Sequence, residues 1–213
     1  MAKLFVLIGL PGAGKSTFAQ IVSKRNKKIK HVSSDELRKE FSEFKDNHIK
    51  IFEIMNKRTI DMLKKDNSVI YDSTNLERKY RIELFNLVRM LSLENVQVEA
   101  VFIHNGLNQA IEQSSKRKNR DDVNEKLIMN MYETMQLPSV NTDCHEIIIP
   151  YIFNINNEFN LKCIKIYKKD EDFHKYVKEV DVSLYEKYLD EEREYDWKNS
   201  NCCRYSCKQI CTK

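Results

Sequence analysis

Eight consecutive residues, Gly9 to Ser16, read GLPGAGKS, a spacing that fits the phosphate-binding pattern GxxxxGK[ST]. Gly9, Gly12 and Gly14 let the backbone curl so that successive N–H groups point inward around a polyphosphate. A helix starting near Lys15 brings the positive end of its dipole to the same spot. Lys15 is then placed to reach β- and γ-phosphates, and the Ser16 hydroxyl to ligate Mg²⁺. On this reading Gly9, Pro11, Gly12, Ala13, Gly14, Lys15, Ser16 and Thr17 form a nucleotide-binding set with ATP and Mg²⁺ as its ligands. The alternative is a chance glycine turn. At a usual glycine content of about 7%, the bare pattern arises by accident in roughly one chain in a hundred of this length. Here three of only four glycines lie in the loop, which tells against chance.

Three further groups carry chemistry. Asp35 and Arg38, in SSDELR, are three apart on an expected helix and face the same way. Beside a phosphate loop, the carboxylate could accept the proton of an attacking hydroxyl while the guanidinium holds an anionic group of the acceptor. A helix cap with an ordinary surface pair is the plainer reading. Asp72, in YDSTN, ends an expected strand and could meet Mg²⁺ through water or orient the acceptor, while Thr74 and Asn75 could be turn chemistry alone. Lys116 to Arg120 is a basic cluster between two helical segments. There Arg117 or Arg120 could close over a transferring phosphoryl group, against the reading of a solvated basic turn.

The elements that must position these groups are legible from apolar spacing. Leu4 to Ile8 is an unbroken apolar run, as in a strand buried on both faces, and Thr17 to Ser23 has helical spacing. Ile29 to Ser33, Ser68 to Tyr71, Val96 to Ile103 and Ile147 to Ile149 read as further strands. Helices are expected from Ser34 or Asp35, either as cap, to Phe41, and over 46–65, 77–93, 106–113 and 121–135. Such alternation implies a parallel sheet with helices on both faces, ligands lying beyond the C-terminal strand ends. Gly9, Asp35 and Asp72 all follow strands. After Pro150 the pattern changes: one or two strands within 151–168 and a helix over 173–189 are expected. The division is therefore 1–150 as the core domain, 151–197 as an α+β extension and 198–213 as a Cys-rich basic tail.

Composition narrows the class. The 213 residues carry 32% charged, 41% hydrophobic and 10% aromatic side chains, with a net charge of +4. That is a globular domain with an appendage, and a charge that permits a nucleic-acid partner without arguing for one. The short apolar run after Lys3 stops at the phosphate loop, unlike a secretion signal. No stretch suits a membrane span, so an intracellular, cytoplasmic setting is expected. The five histidines lack metal-ligand spacing. Cys202, Cys203, Cys207 and Cys211 are open to three readings: free thiols, a metal site or regulatory disulfide, and lipidation. A prenylation box is ruled out because Ile210 stands fourth from the end. No NKxD follows the loop, against a GTPase.

Taken together, GLPGAGKST, SSDELR, VIYDSTNLERKYR and SKRKNRDDVNEKLIMNMYETMQLP resemble the kinase domain of the phage polynucleotide 5′-hydroxyl kinases. They resemble equally the broader group of small AAA-like, zeta-toxin-related P-loop kinases, over residues 3–150. The resemblance implies a nucleoside-kinase-like P-loop NTPase, an α/β fold with a three-layer parallel sheet and a C-terminal extension. It implies ATP and Mg²⁺ at Lys15 and Ser16, Asp35 as general base, Arg38 on the 3′-phosphate of an acceptor nucleotide, and Arg117 as a lid arginine on the donor phosphates. Departures from the phage pattern are Ser73, which separates Asp72 from Thr74-Asn75, and Gln113, where a second lid arginine would stand. No DxDxT phosphatase motif follows Pro150. Phosphoryl transfer to a polynucleotide 5′-hydroxyl is the leading expectation. A kinase of a small metabolite or nucleoside, and an ATP-binding switch without transfer, are the rivals.

Overall fold

The computed structural model describes residues 1–91, 93, 95–116, 123–155 and 158–190, so the expectations for Arg117, Arg120 and the four tail cysteines lie outside the described residues. Two compact units are present, Met1–Asp170 and Glu171–Lys213.

The first unit is built on one sheet of order β2-β3-β1-β4-β5-β6. Its strands are β1 (Lys3–Ile8), β2 (Ile29–Ser33), β3 (Ser68–Asp72), β4 (Gln97–Phe102), β5 (Glu146–Ile155) and β6 (Glu158–Tyr167). The helices between them are α1 (Lys15–Arg25), α2 (Ser34–Glu40), α3 (His48–Leu63), α4 (Arg78–Met90), α5 (Leu107–Ser115) and α6 (Glu125–Glu133). β1 to β5 pair in parallel, and β6 returns antiparallel to β5. The chain winds to one side of β1 through β2 and β3, then to the other from β4 onward. A crevice therefore opens beyond the C-terminal end of β1, where such sheets take ligands.

Strand alternation sorts the core into two layers. Leu7, Ile70, Val101 and Ile148 share one face with Phe18 and Ala19 of α1. The alternate residues Val69 and Tyr71 face the other way, and there the Tyr71 hydroxyl donates to Asn56 Oδ1 of α3 at 2.8 Å. Burial pushes the Tyr71 phenol well above its ordinary range.

Three expectations are corrected: the single helix expected over 173–189 is interrupted at Asp181, with helices over 170–180 and 182–190, and two boundaries move. The cap of α2 is Ser33, whose Oγ accepts from the Glu36 N–H at 3.4 Å, rather than Ser34 or Asp35. The side chain of Asp35 is thereby left in the first turn, facing other work. The fifth strand does not end before Pro150 but runs to Ile155, across the position where the composition changes. Its pairing with β4 stops at Ile148, so Pro150 sits where only β6 is a neighbour, a position that tolerates a missing N–H.

At the start of β4 the buried carboxylate of Glu99 pairs with Lys3. Burial raises the Glu99 pKa above its ordinary value, with Lys3 opposing. In the second unit the described residues form α7 (Asp170–Val180) and a helix over 182–190, with the His174 and Tyr188 rings 4.2 Å apart. Among the described residues no helix is long and apolar enough to cross a membrane.

Candidate active site

Where β1 ends, the loop must reverse over the sheet and enter α1. It passes so close to neighbouring backbone that two of its glycines are required. A Cβ on Gly12 (φ 86°) would lie 2.3 Å from the Ala110 carbonyl oxygen of α5, and one on Gly9 would lie 2.3 Å from that of Ile103. Gly14 caps α1 without a side-chain bond to the first turn, so the helix presents its opening N–H groups to the loop's hollow. The Lys15 side chain is buried and folds back, Nζ donating to the carbonyls of Gly9 and Leu10 at 2.8 Å each.

Asp72, 5% exposed at the end of β3, completes this side. Its Oδ2 accepts from Ser16 Oγ at 3.3 Å and from His31 Nε2 at 3.0 Å. Burial works to lower the His31 pKa, but the hydrogen bond and charge of Asp72, with Glu36, outweigh it and raise the value. The β3–α4 connection is tied to the loop twice. Gly9 N–H donates to the Thr74 carbonyl at 3.2 Å, and Asn75, held at φ 46°, donates from Nδ2 to the Leu7 carbonyl at 2.7 Å. Thr74 and Asn75 thus brace the phosphate loop as well as turning the chain.

Behind that brace lies a buried knot. Arg81 of α4 and Asp143 have side chains 2% and 0% exposed. Arg81 Nε donates to Asp143 Oδ2 at 2.9 Å, Nη1 to the Asn75 and Leu76 carbonyls at 2.8 and 2.9 Å, and Nη2 to the Leu137 carbonyl at 3.0 Å. Asp143 Oδ1 also accepts from the Ser139 N–H at 3.0 Å. The adjacent Cys144 is a buried free thiol, its pKa driven up by burial.

A cleft of about 360 Å³ joins the phosphate loop to α2. It is lined by Pro11, Lys15, Ser16, Asp72 and Thr74, by Asp35 and Arg38 of α2, by His48 and Phe52 of α3, and by Leu127 and Met131 of α6. Arg38 Nη1 donates to the Ser34 carbonyl at 3.2 Å, and Nη2 lies 3.0 Å from His48 Nδ1. A larger hollow of about 700 Å³, between the end of α4 and His145, lies at the N-terminal strand ends, away from all of these groups; the smaller cleft is the one with the chemistry.

Lys15, Ser16, Asp35, Arg38 and Asp72, drawn from three segments of the sequence, therefore converge on one space. His48 also lines it, and His31 backs it through Asp72, although their spacing gave no sign: His31 is bonded 41 residues away and His48 10.

The arrangement suits a nucleoside triphosphate with Mg²⁺. Positive φ values at Gly9, Gly12 and Gly14 shape a cradle of backbone N–H groups, and one hydroxyl lies beside one buried carboxylate. Among the described residues no cluster of three His, Cys, Asp or Glu could hold a metal alone. A hydroxyl, one carboxylate, water and phosphate oxygens are what Mg²⁺ takes in such sites.

Comparison with known proteins agrees with this geometry. Residues 4–138 match the family described as AAA domain. The chain belongs to that family. Within it the chain falls in the P-loop kinase group, with a mixed α/β fold on a mostly parallel six-stranded sheet and ATP-dependent kinase chemistry. The AAA domain chain is 28% identical over 178 residues, covering 75% of its length and 68% of the relative, to the L-seryl-tRNA(Sec) kinase of Methanococcus maripaludis. Among solved structures, a chain of the Pnkp1/Rnl/Hen1 RNA repair complex matches at TM-score 0.50 and 23% identity, covering 62% of this chain and 43% of that one. A fungal RNA kinase matches at TM-score 0.48 and 16% identity, covering 70% and 74%. This chain thus spans less than half of the RNA repair protein it resembles.

Proposed function

We propose that this kinase moves the γ-phosphoryl group of ATP to an alcohol carried on nucleic acid, the 5′-hydroxyl of a polynucleotide. The observation that carries the reading is the cleft lined both by the phosphate-loop residues Lys15 and Ser16 and by the Asp35–Arg38 pair. The one curated relative described above supports an RNA-borne alcohol, since its name gives seryl-tRNA as acceptor.

In this proposal the loop N–H groups take the phosphate oxygens, and Lys15 exchanges the Gly9 and Leu10 carbonyls for the β- and γ-phosphates. Ser16 and, through water, Asp72 would hold Mg²⁺, which would supply neutralising charge to those phosphates. Asp35 aligns the acceptor hydroxyl with the γ-phosphorus and takes its proton as the new O–P bond forms and the bond to ADP breaks. Arg38 binds an anionic group of the acceptor. Arg117 or Arg120 is assigned to neutralising charge on the transferring phosphoryl group.

The test is transfer from γ-labelled ATP to 5′-hydroxyl oligonucleotides, seryl-tRNA, nucleosides and sugars, with Lys15→Ala as control. Lys15-dependent labelling of an oligonucleotide supports the proposal. Labelling of seryl-tRNA alone moves the acceptor to an aminoacyl alcohol, labelling confined to metabolites refutes an RNA-borne acceptor, and ATP binding without transfer favours a switch. Asp35→Asn should abolish turnover and leave ATP affinity nearly unchanged, because that carboxylate serves the acceptor. A collapse of ATP binding would assign Asp35 to the donor side instead.

A further inference from the structure

The cleft holds a donor pair that sequence reasoning did not anticipate. Arg38 has five N–H donors and can only donate. Its bond to His48 Nδ1 therefore makes that nitrogen the acceptor and places the imidazole proton on Nε2. The Ser34 carbonyl and His48 together engage two of the five donors from opposite sides and fix the plane of the guanidinium. The remaining three N–H groups have no partner among the described residues, on a side chain that lines the cleft. His48 lines it too, so its Nε2–H adds a donor beside them.

The surroundings give this pair its meaning. Asp35 and Asp72 line the same cleft, and two carboxylates repel an anion unless cationic donors are held in place against them. Phe52 stands four residues after His48 on α3, so both share a face. Leu127 and Met131, four apart on α6, line the cleft as well. The cleft therefore combines a pair of anion-binding donors with apolar side chains, which matches a phosphate and the base attached to it better than a polyol.

We propose that His48 is an acceptor-binding residue: it holds the Arg38 guanidinium toward the cleft and, with it, forms a two-residue site for the acceptor's phosphate. This rests on Arg38 facing the acceptor, as in the function proposed above, and adds the group that aims it.

The experiment is calorimetric titration of the full chain with a nucleoside 3′-monophosphate and with the matching nucleoside. The phosphate loop is filled by ADP and Mg²⁺, so that the probe's phosphate cannot enter it. The expected result is a preference for the monophosphate of about tenfold or more, the low end for charged hydrogen bonds at an exposed site. His48→Ala should remove most of that preference while the affinities for nucleoside and ADP stay unchanged. His48→Asn, whose amide oxygen can still accept from Arg38, should restore part of it. In the transfer assay the same variants should raise KM for a phosphate-bearing acceptor and leave kcat alone. The inference is overturned if the protein shows no preference, if His48→Ala leaves the preference intact, or if it weakens nucleoside and nucleotide equally. Because binding is read directly, an inactive protein that keeps a His48-dependent preference would refute the transfer reaction and still uphold this site.

Discussion

Replacing Arg81 by methionine tests whether the buried knot behind the phosphate loop holds the site in shape. Methionine keeps the length and apolar stem but removes five donors. The Asp143 carboxylate, fully buried, would then lose its cationic partner and keep the Ser139 N–H, and the Asn75, Leu76 and Leu137 carbonyls would lose their common partner. Breaking one side of a buried ion pair costs about 3–5 kcal/mol. For a chain of this size each kcal/mol lowers Tm by roughly 2–4 °C, so the expected fall is about 6–20 °C. Adding Asp143→Leu removes the stranded charge and should recover at least about 2 kcal/mol, read as the coupling energy of a double-mutant cycle in urea. ATP affinity should fall with Arg81→Met, because the same guanidinium fixes Asn75, which grips Leu7 at the mouth of the loop. A single-variant cost below about 1 kcal/mol, or no coupling with Asp143, would refute the reasoning, since neither is compatible with an uncompensated buried charge.

Two other outcomes follow from the geometry. Gly12→Ala puts a methyl group against the α5 backbone at a backbone angle that itself costs about 1–2 kcal/mol for a residue with a Cβ. A displacement of the loop near 1 Å should reduce turnover about a hundredfold; nucleotide titration and steady-state rates check it, and wild-type behaviour would show the loop to be pliant. Glu99→Gln addresses pH. A carboxyl with a raised folded pKa binds protons more readily when folded, so stability is greatest below its ordinary 4.5 and declines as pH rises through the folded value. The glutamine variant should lose that decline, seen as a flatter urea midpoint against pH, and an unchanged slope would remove Glu99 as its source.

Much of the sheet was legible because parallel strands buried on both faces leave unbroken apolar runs, as Leu4 to Ile8 and Ala100 to Ile103 do. The phosphate loop was legible because its whole chemistry is local. What escaped was set by topology. Arg81 meets Asp143 across 62 positions and His31 meets Asp72 across 41, and no periodicity records such a pairing. The α2 cap was misplaced by one residue because Ser33, Ser34 and Asp35 are all good caps, and only the end of β2 decides among them. Pro150 looked like a strand terminus because the sequence cannot show that β4 has already fallen away at that point.

The position of β1 has a consequence for how the protein is made. Its two neighbours are β3 and β4, so the strand that carries the nucleotide loop gains its partners only from residues 68–72 and 97–102. Parallel pairings of such sequence separation form slowly, and the loop cannot be shaped before both are in place. Nucleotide capture is therefore a late event in maturation, closed to any nascent fragment shorter than about half the chain. Once captured, ATP stabilises the assembled sheet as a unit, in proportion to the logarithm of its concentration over Kd.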